Sequence, residues 1–230
     1  MTPSRSETLH SMARNAIGLA LFAVVTVGAI ALTRELTRDR IEVQRERAEA
    51  AAFLDILPPS VDPLVLDDTI KVHDPRLGLR APAEARVARR DGEAIALLLP
   101  VRVPDGYSGD IHLVVGVDRD ARVTGVRVLE HRETPGLGDA IEVRRSDWIE
   151  DFRGRALGDP PRARWTVRSE GGAFDGFTGA TITPRAITRA VARALDWFEE
   201  DGRAALQAAG HTRAEGPGEP GEPGEEEAAP

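Results

Sequence analysis

The segment Asp175-Gly176-Phe177-Thr178-Gly179-Ala180-Thr181-Ile182-Thr183-Pro184 sets threonine hydroxyls among small residues, directly ahead of a helical pattern. Gly179 and Ala180 let a ligand come close to the backbone. Ile187, Val191, Leu195 and Phe198 recur at helical spacing, which predicts a core-facing helix. Thr183 suits its N-cap and Pro184 its first position; the helix is expected to end near Gly202. The first turn of a helix offers unpaired N–H groups and a positive dipole end, so it favours an anion. A phosphate on the Thr181 hydroxyl, beside Thr178 and Thr183, is the chemistry this arrangement suits. On spacing alone, a plain glycine turn with two threonine caps takes precedence over that reading.

Other residues are less promising. His112 and His131 have no partners at metal-ligand spacing, so no metal is expected. Tyr107 between glycines reads as a structural aromatic, and Trp148 as a core residue more than a ligand contact. Asp67-Asp68 and Arg89-Arg90 read as solvated surface charge. The chain has no Cys, which excludes disulfides, thiolate-ligated iron–sulfur clusters and thiol catalysis. There is no nicotinamide fingerprint, and no catalytic residue is assigned. The formal net charge of -8 offers no broad basic surface for nucleic acid.

The elements that must position the threonines can be read from the pattern. The 230 residues, 41% hydrophobic and only 4% aromatic, leave room for one ordinary domain built on Val, Leu, Ile and Ala. Asp91-Gly92 between Glu84–Arg90 and Glu93–Leu99 predicts a hairpin. Asp110–Val117 and Arg122–Leu129 predict a second. In the latter strand Val123, Gly125, Arg127 and Leu129 share one face, and Arg122, Thr124, Val126 and Val128 the other. That imperfect alternation suits a sheet covered on one face by a helix. A loop, His131–Gly138, leads to an expected helix over Asp139–Phe152, and Arg164–Arg168 reads as a strand. The fold class is α+β, a twisted, mainly antiparallel sheet with packed helices, preceded by one transmembrane helix.

That helix is the uncharged run of residues 16–33. A bilayer core of about 30 Å needs roughly 20 helical residues. A cleaved signal peptide ending at Ala29-Ile30-Ala31 is the alternative, but the apolar run continues past it. Residues 1–15 form the N-terminal flank, 34–59 a helical stalk ended by Pro58-Pro59, 60–202 the main domain, and 203–230 a disordered Gly/Pro/Glu-rich tail. Arg34, Arg38, Arg40, Arg45 and Arg47 outnumber Arg5 and Arg14 on the other flank. Counted simply, they place the main domain in the cytoplasm.

Asp175-x-x-Thr178-Gly179-Ala180-Thr181 resembles the recognition motif of the periplasmic flavin transferase, which moves FMN from FAD onto such a threonine. Gly106-Tyr107-Ser108-Gly109-Asp110-Ile111, Val115-Gly116-Val117-Asp118 and His131-Arg132-Glu133-Thr134-Pro135-Gly136-Leu137-Gly138 occur around it in one family's order. Over residues 10–200 the chain resembles the G subunit of the Rnf (Rsx) electron transport complex. The C subunit of the sodium-pumping NADH:quinone reductase is a close relative.

The resemblance implies FMN held by a phosphoester to Thr181, and a relay of electrons between ferredoxin and NAD coupled to ion movement. It implies partners in the other subunits, the flavin transferase and membrane lipid, and a main domain on the periplasmic side of the bacterial inner membrane. That placement opposes the charge count, but long domains translocate regardless of flanking charge. Thr178, Gly179, Ala180 and Thr183 then surround the phosphate, and Asp175 serves the transferase. Leu137 packs on the flavin ring, Thr134 or Glu133 reaches its polar edges, and Gly138 closes that loop. The rival reading is an FMN-free tethered module, structural or binding a ligand reversibly.

Overall fold

The computed structural model describes residues 5–57 and 68–212. Pro58-Pro59, Asp67 and the Gly/Pro/Glu repeat lie outside the described residues. The chain divides into two units at Ala48/Glu49.

The first unit is the long part of helix α1 (Arg5–Ile56). It is the one helix among the described residues long and apolar enough to cross a membrane, by length and composition. Ile17, Leu21, Phe22, Val25 and Ile30 are all exposed. Thr26 and Thr33 donate to the carbonyls of Phe22 and Ala29 at 2.8 Å, which satisfies both hydroxyls within the helix. No break separates the apolar run from the polar stretch after it, so the two form one helix of 52 residues.

The second unit is built on a five-stranded antiparallel meander in the order β1-β2-β3-β4-β5. The strands are β1 (Thr69–Val72), β2 (Ala83–Arg90), β3 (Glu93–Gly106), β4 (Gly109–Asp118) and β5 (Val123–Glu130). Both expected hairpins are present. Asp91 and Gly92 take positive φ values of 53° and 82°, as a two-residue primed turn requires. Helices α2 (Ile182–Trp197) and α3 (Arg203–Thr212), joined by a π-helical turn over Phe198–Gly202, cover one face. Leu97, Leu99 and Val101 of β3, and Ile111, Leu113 and Val115 of β4, point into that layer with Ile187, Val191 and Leu195.

Several expectations are corrected. The sheet is covered on both faces: Phe53, Ile56 and Leu57 pack against Ala88, Ala96, Leu98 and Val114 on the side away from α2. In β5 a bulge between Gly116 and Val117 of the facing register turns Val123 to the α2 side with Val126, and leaves Gly125 against Ile56. Residues 139–152 form two short 3-10 turns, Gly138–Ile141 and Asp147–Phe152. Ser146 separates them, accepting from Trp148 N and donating to the Ala140 carbonyl at 2.7 Å. Residues 164–168 are not a strand, because Trp165 is buried and its Nε1 donates to the Pro160 carbonyl. The chain there makes 3-10 turns at Arg162–Arg164 and Arg168–Glu170.

The last helix does not stop at Gly202. The Phe198 and Trp197 rings cover that glycine so closely that a Cβ there would lie 2.7 Å from Phe198, and helical structure runs on to Thr212. Arg89 is not surface charge either. It is buried, its guanidinium donating to Asp68 and to the Ala209 carbonyl at 2.6 Å each, and so it fastens the end of α3 to β2.

A Cβ at Gly125 would lie 2.8 Å from Ile56. Gly125→Val is therefore expected to lower stability by about 1–3 kcal/mol through overpacking. Thr124 carries a buried hydroxyl without a partner among the described residues, so Thr124→Val is expected to be neutral or stabilising. Denaturant unfolding of the two variants in detergent checks the contrast in sign.

Candidate functional site

The candidate residues come from three places: the β3–β4 turn, the loop after β5 and the start of α2. Two four-residue turns shape the loops. Ala180 N–H donates to the Phe177 carbonyl at 3.1 Å across Thr178-Gly179, and Leu137 N–H to the Thr134 carbonyl at 3.1 Å across Pro135-Gly136. Gly179 and Gly136 occupy the third position of each with φ of 81° and 79°, a conformation that favours glycine. The turns are neighbours, since a Cβ on Gly179 would lie 4.0 Å from Leu137 Cδ2. Leu137 is exposed.

Thr181 precedes the first residue of α2 and already has helical dihedrals, φ -73° and ψ -24°. Its carbonyl accepts from Arg185 N at 3.3 Å, but its hydroxyl makes no capping bond, and the residue is exposed. Thr183, expected as the cap, sits one turn position deeper and is fully buried. Its hydroxyl turns inward and donates to Glu133 Oε2 at 2.8 Å. Pro184 falls at the third helical position, where an N–H has no intrahelical acceptor to lose. Thr178 is exposed.

Glu133 ties these pieces together. It is 5% exposed. Oε2 accepts from Thr183 of α2, and Oε1 accepts from the Ser108 N–H of the β3–β4 turn at 3.1 Å. Gly138 packs so tightly on its side chain that a Cβ there would meet Oε2 at 2.6 Å. Among the described residues no cation lies within 4 Å of this carboxylate. Neutral donors and the positive end of α2 stabilise it instead.

His131 and Trp148 add outer supports. His131 Nδ1 accepts from Glu133 N at 3.1 Å, which places the ring proton on Nε2, bonded to Glu142 at 2.7 Å. The bond from Arg144, opposed by burial and aided by His131, holds the Glu142 carboxyl at about 2, below its ordinary 4.5. Trp148 is buried and donates from Nε1 to the Asp175 carbonyl at 2.7 Å. Its ring meets Phe177 edge-on at 5.1 Å, so a core tryptophan fixes the threonine loop from beneath. The Asp175 side chain stays exposed and pairs with Arg168 at 3.1 Å.

The structure thus brings Thr178, Gly179, Ala180, Thr181 and Leu137 to one exposed spot, with Thr134 on the neighbouring turn. Glu133, Gly138 and Thr183 lie behind it as buried fasteners. Ser108 and Trp148 complete the support. Only the order of motifs along the chain hinted at Ser108, and nothing in Trp148's spacing showed its bond to Asp175. A free hydroxyl at a helix start, flanked by small residues and an exposed leucine, fits an esterified phosphate carrying an apolar ring.

Residues 106–196 match the FMN-binding domain family, and residues 1–56 match the RnfG N-terminal region. The G subunit of an ion-translocating oxidoreductase complex from Pseudomonas aeruginosa is 49% identical over 209 residues, covering 89% of this chain and 98% of the relative. Its namesake from Vibrio vulnificus is 41% identical over 190 residues, covering 82% and 90%. That from Cronobacter sakazakii is 44% identical over 187 residues, covering 81% and 89%.

Glu133→Ala strands the Ser108 N–H and the Thr183 hydroxyl, and is expected to cost about 2–4 kcal/mol. Adding Thr183→Val costs less than its single-variant effect, because the two share one bond, as a double-mutant cycle in denaturant measures. For Glu142 the folded pKa lies below the unfolded one. Its contribution is therefore fully present above about 4.5 and is lost as pH falls through about 2. Thermal melts between those limits are expected to show a shallower acid slope in Glu142→Gln.

Proposed function

The chain belongs to the family of G subunits of ion-translocating oxidoreductase complexes, and on that premise we propose that its FMN-binding domain carries the flavin covalently, as a phosphoester on Thr181. The observation that carries this reading is the contrast between the threonines. Thr183 is buried with its hydroxyl bonded, whereas Thr181 is an exposed residue at the start of α2 whose hydroxyl makes no capping bond. A phosphate there meets the N–H groups and positive dipole end of the helix.

Attachment joins Thr181 Oγ1 to the FMN phosphorus and breaks the phosphoanhydride of FAD. AMP leaves and takes the anhydride oxygen, and the hydroxyl proton goes to solvent. Asp175, exposed beside the loop, serves the flavin transferase in this step. Gly179, whose φ of 81° holds the turn, keeps the segment narrow enough to enter that enzyme. When bound, FMN supplies one- and two-electron redox chemistry, and the chain supplies its placement. Leu137 offers the ring an apolar side, and Thr134 a hydroxyl for a polar edge. Glu133, buried with Oε1 bonded to Ser108 N and Oε2 to the Thr183 hydroxyl, has the part of holding Ser108, Thr183 and the Gly138 turn in place.

The same reading makes residues 16–33 of α1 a membrane anchor in the bacterial inner membrane, with 34–59 as its stalk and 60–202 as the extracytoplasmic domain. Residues 203–212 extend that domain as α3, and the acidic stretch after them is an appendage. The subunit relays electrons within a ferredoxin:NAD oxidoreductase complex and is not a complete enzyme alone. Its partners are the other subunits, the transferase and lipid.

Co-expression with the flavin transferase is expected to give a flavin-fluorescent band in a denaturing gel, with a mass increase of FMN minus water. Thr181→Ala is expected to abolish both, and Asp175→Ala to slow their appearance. An unmodified chain beside a modified control substrate overturns the covalent reading. A mass shift surviving Thr181→Ala moves the site to Thr178, since Thr183 is fully buried. A reporter fused at the C-terminus and active only in the cytoplasm reverses the orientation.

A further inference from the structure

Arg185, Arg189 and Arg193 recur every fourth residue along α2 and so share one face of it. Arg162, Arg164 and Arg168 lie on the adjoining 3-10 turns. Carboxylates link the elements that carry them. Glu170 accepts from Arg185 at 2.6 Å and from Arg189 at 3.0 Å, so one carboxylate serves two guanidinium groups. Arg162 pairs with Asp196 at 2.7 Å, and Arg168 with Asp175 at 3.1 Å. Arg164 and Arg193 have no carboxylate within 4 Å among the described residues. Arg193 is half-buried, and its Nε donates only to the Arg76 carbonyl, at 3.4 Å. Burial lowers its proton affinity and nearby Arg162 and Arg189 add to that, against the opposing pull of Asp105 and Asp196. A cation-rich face on a chain whose net charge is -8, holding a guanidinium short of partners, is electrostatically incomplete.

We propose that this arginine face is the docking surface for an acidic face of another subunit of the complex, the one that exchanges electrons with this domain. The electron-exchange part rests on the flavin at Thr181; the docking part rests on the arginines alone. Arginine forks match carboxylates in paired bonds, and the stripe starts one helical turn from Thr181, whose carbonyl accepts from Arg185 N. A partner seated there comes to lie beside the attachment residue. Anionic lipid is the other source of negative charge. Against it, the carboxylates of Glu170, Asp175 and Asp196 are interleaved with the arginines, a pattern that a protein surface matches group by group and a uniformly anionic lipid surface does not.

Arginine labelling by phenylglyoxal, read by mass spectrometry, tests this on the full flavin-loaded chain. The chain is labelled in phosphatidylcholine nanodiscs, in nanodiscs containing phosphatidylglycerol, and in the detergent-solubilised complex. Arg164, Arg189 and Arg193 are expected to react in both nanodiscs and to be protected only in the complex. Arg164→Glu with Arg193→Glu is expected to weaken retention of the other subunits by roughly tenfold or more, with the wild-type association loosening as salt rises. The Thr181→Ala chain, which has no flavin band, is expected to keep the protection. Equal reactivity in all three settings overturns the proposal. Protection by phosphatidylglycerol alone also overturns it, in favour of lipid, and protection lost with the flavin assigns the contact to the cofactor and not to charge.

Discussion

The candidate site depends on one buried carboxylate. Glu133 accepts from the β3–β4 turn through Ser108 and from α2 through Thr183, and its side chain is wedged against Gly138. These segments are far apart in the chain, and otherwise each is a turn or a helix end with freedom of its own. Burying a carboxylate without a cation is costly unless donors surround it. Here the donors are themselves the parts to be held. Their positions relative to Thr181 therefore follow from satisfying that single group.

The remaining supports act on the same parts from outside. His131 bonds the Glu133 backbone and is oriented by Glu142, while Trp148 pins the Asp175 carbonyl from the core. What stays exposed is small: the Gly179 turn, the Thr181 hydroxyl, and Leu137 with its turn. A rigid back and an accessible front suit a domain that holds a bound group in a fixed orientation while leaving it reachable. The helix that carries Thr181 at its start also carries the arginine face along its length, so the exposed threonine and the cationic surface are built on one element.

The apolar helix obeys a different constraint. Apolar side chains along α1 are exposed, and threonine hydroxyls inside it are satisfied by carbonyls one turn back. This is the arrangement that a solvent without hydrogen-bonding capacity demands.

The sequence by itself determined the four strands of the two hairpins, the apolar helix, and the Gly-Ala-Thr motif at Thr181, because each depends on residues close together in the chain. Period-two alternation, an Asp-Gly turn, an uncharged run and a Gly-Ala-Thr segment are all local. Only the tertiary structure decided that Thr183 faces inward and Thr181 outward, since that choice turns on Glu133, fifty residues away. The same holds for Arg89, which looks like surface charge until α3 brings the Ala209 carbonyl to it. It holds too for residues 139–152, whose helical pattern yields to Ser146 bonding and to Trp148 reaching Asp175. Contacts between distant segments outweigh local propensity wherever a polar group is buried, and the candidate site is where such groups converge.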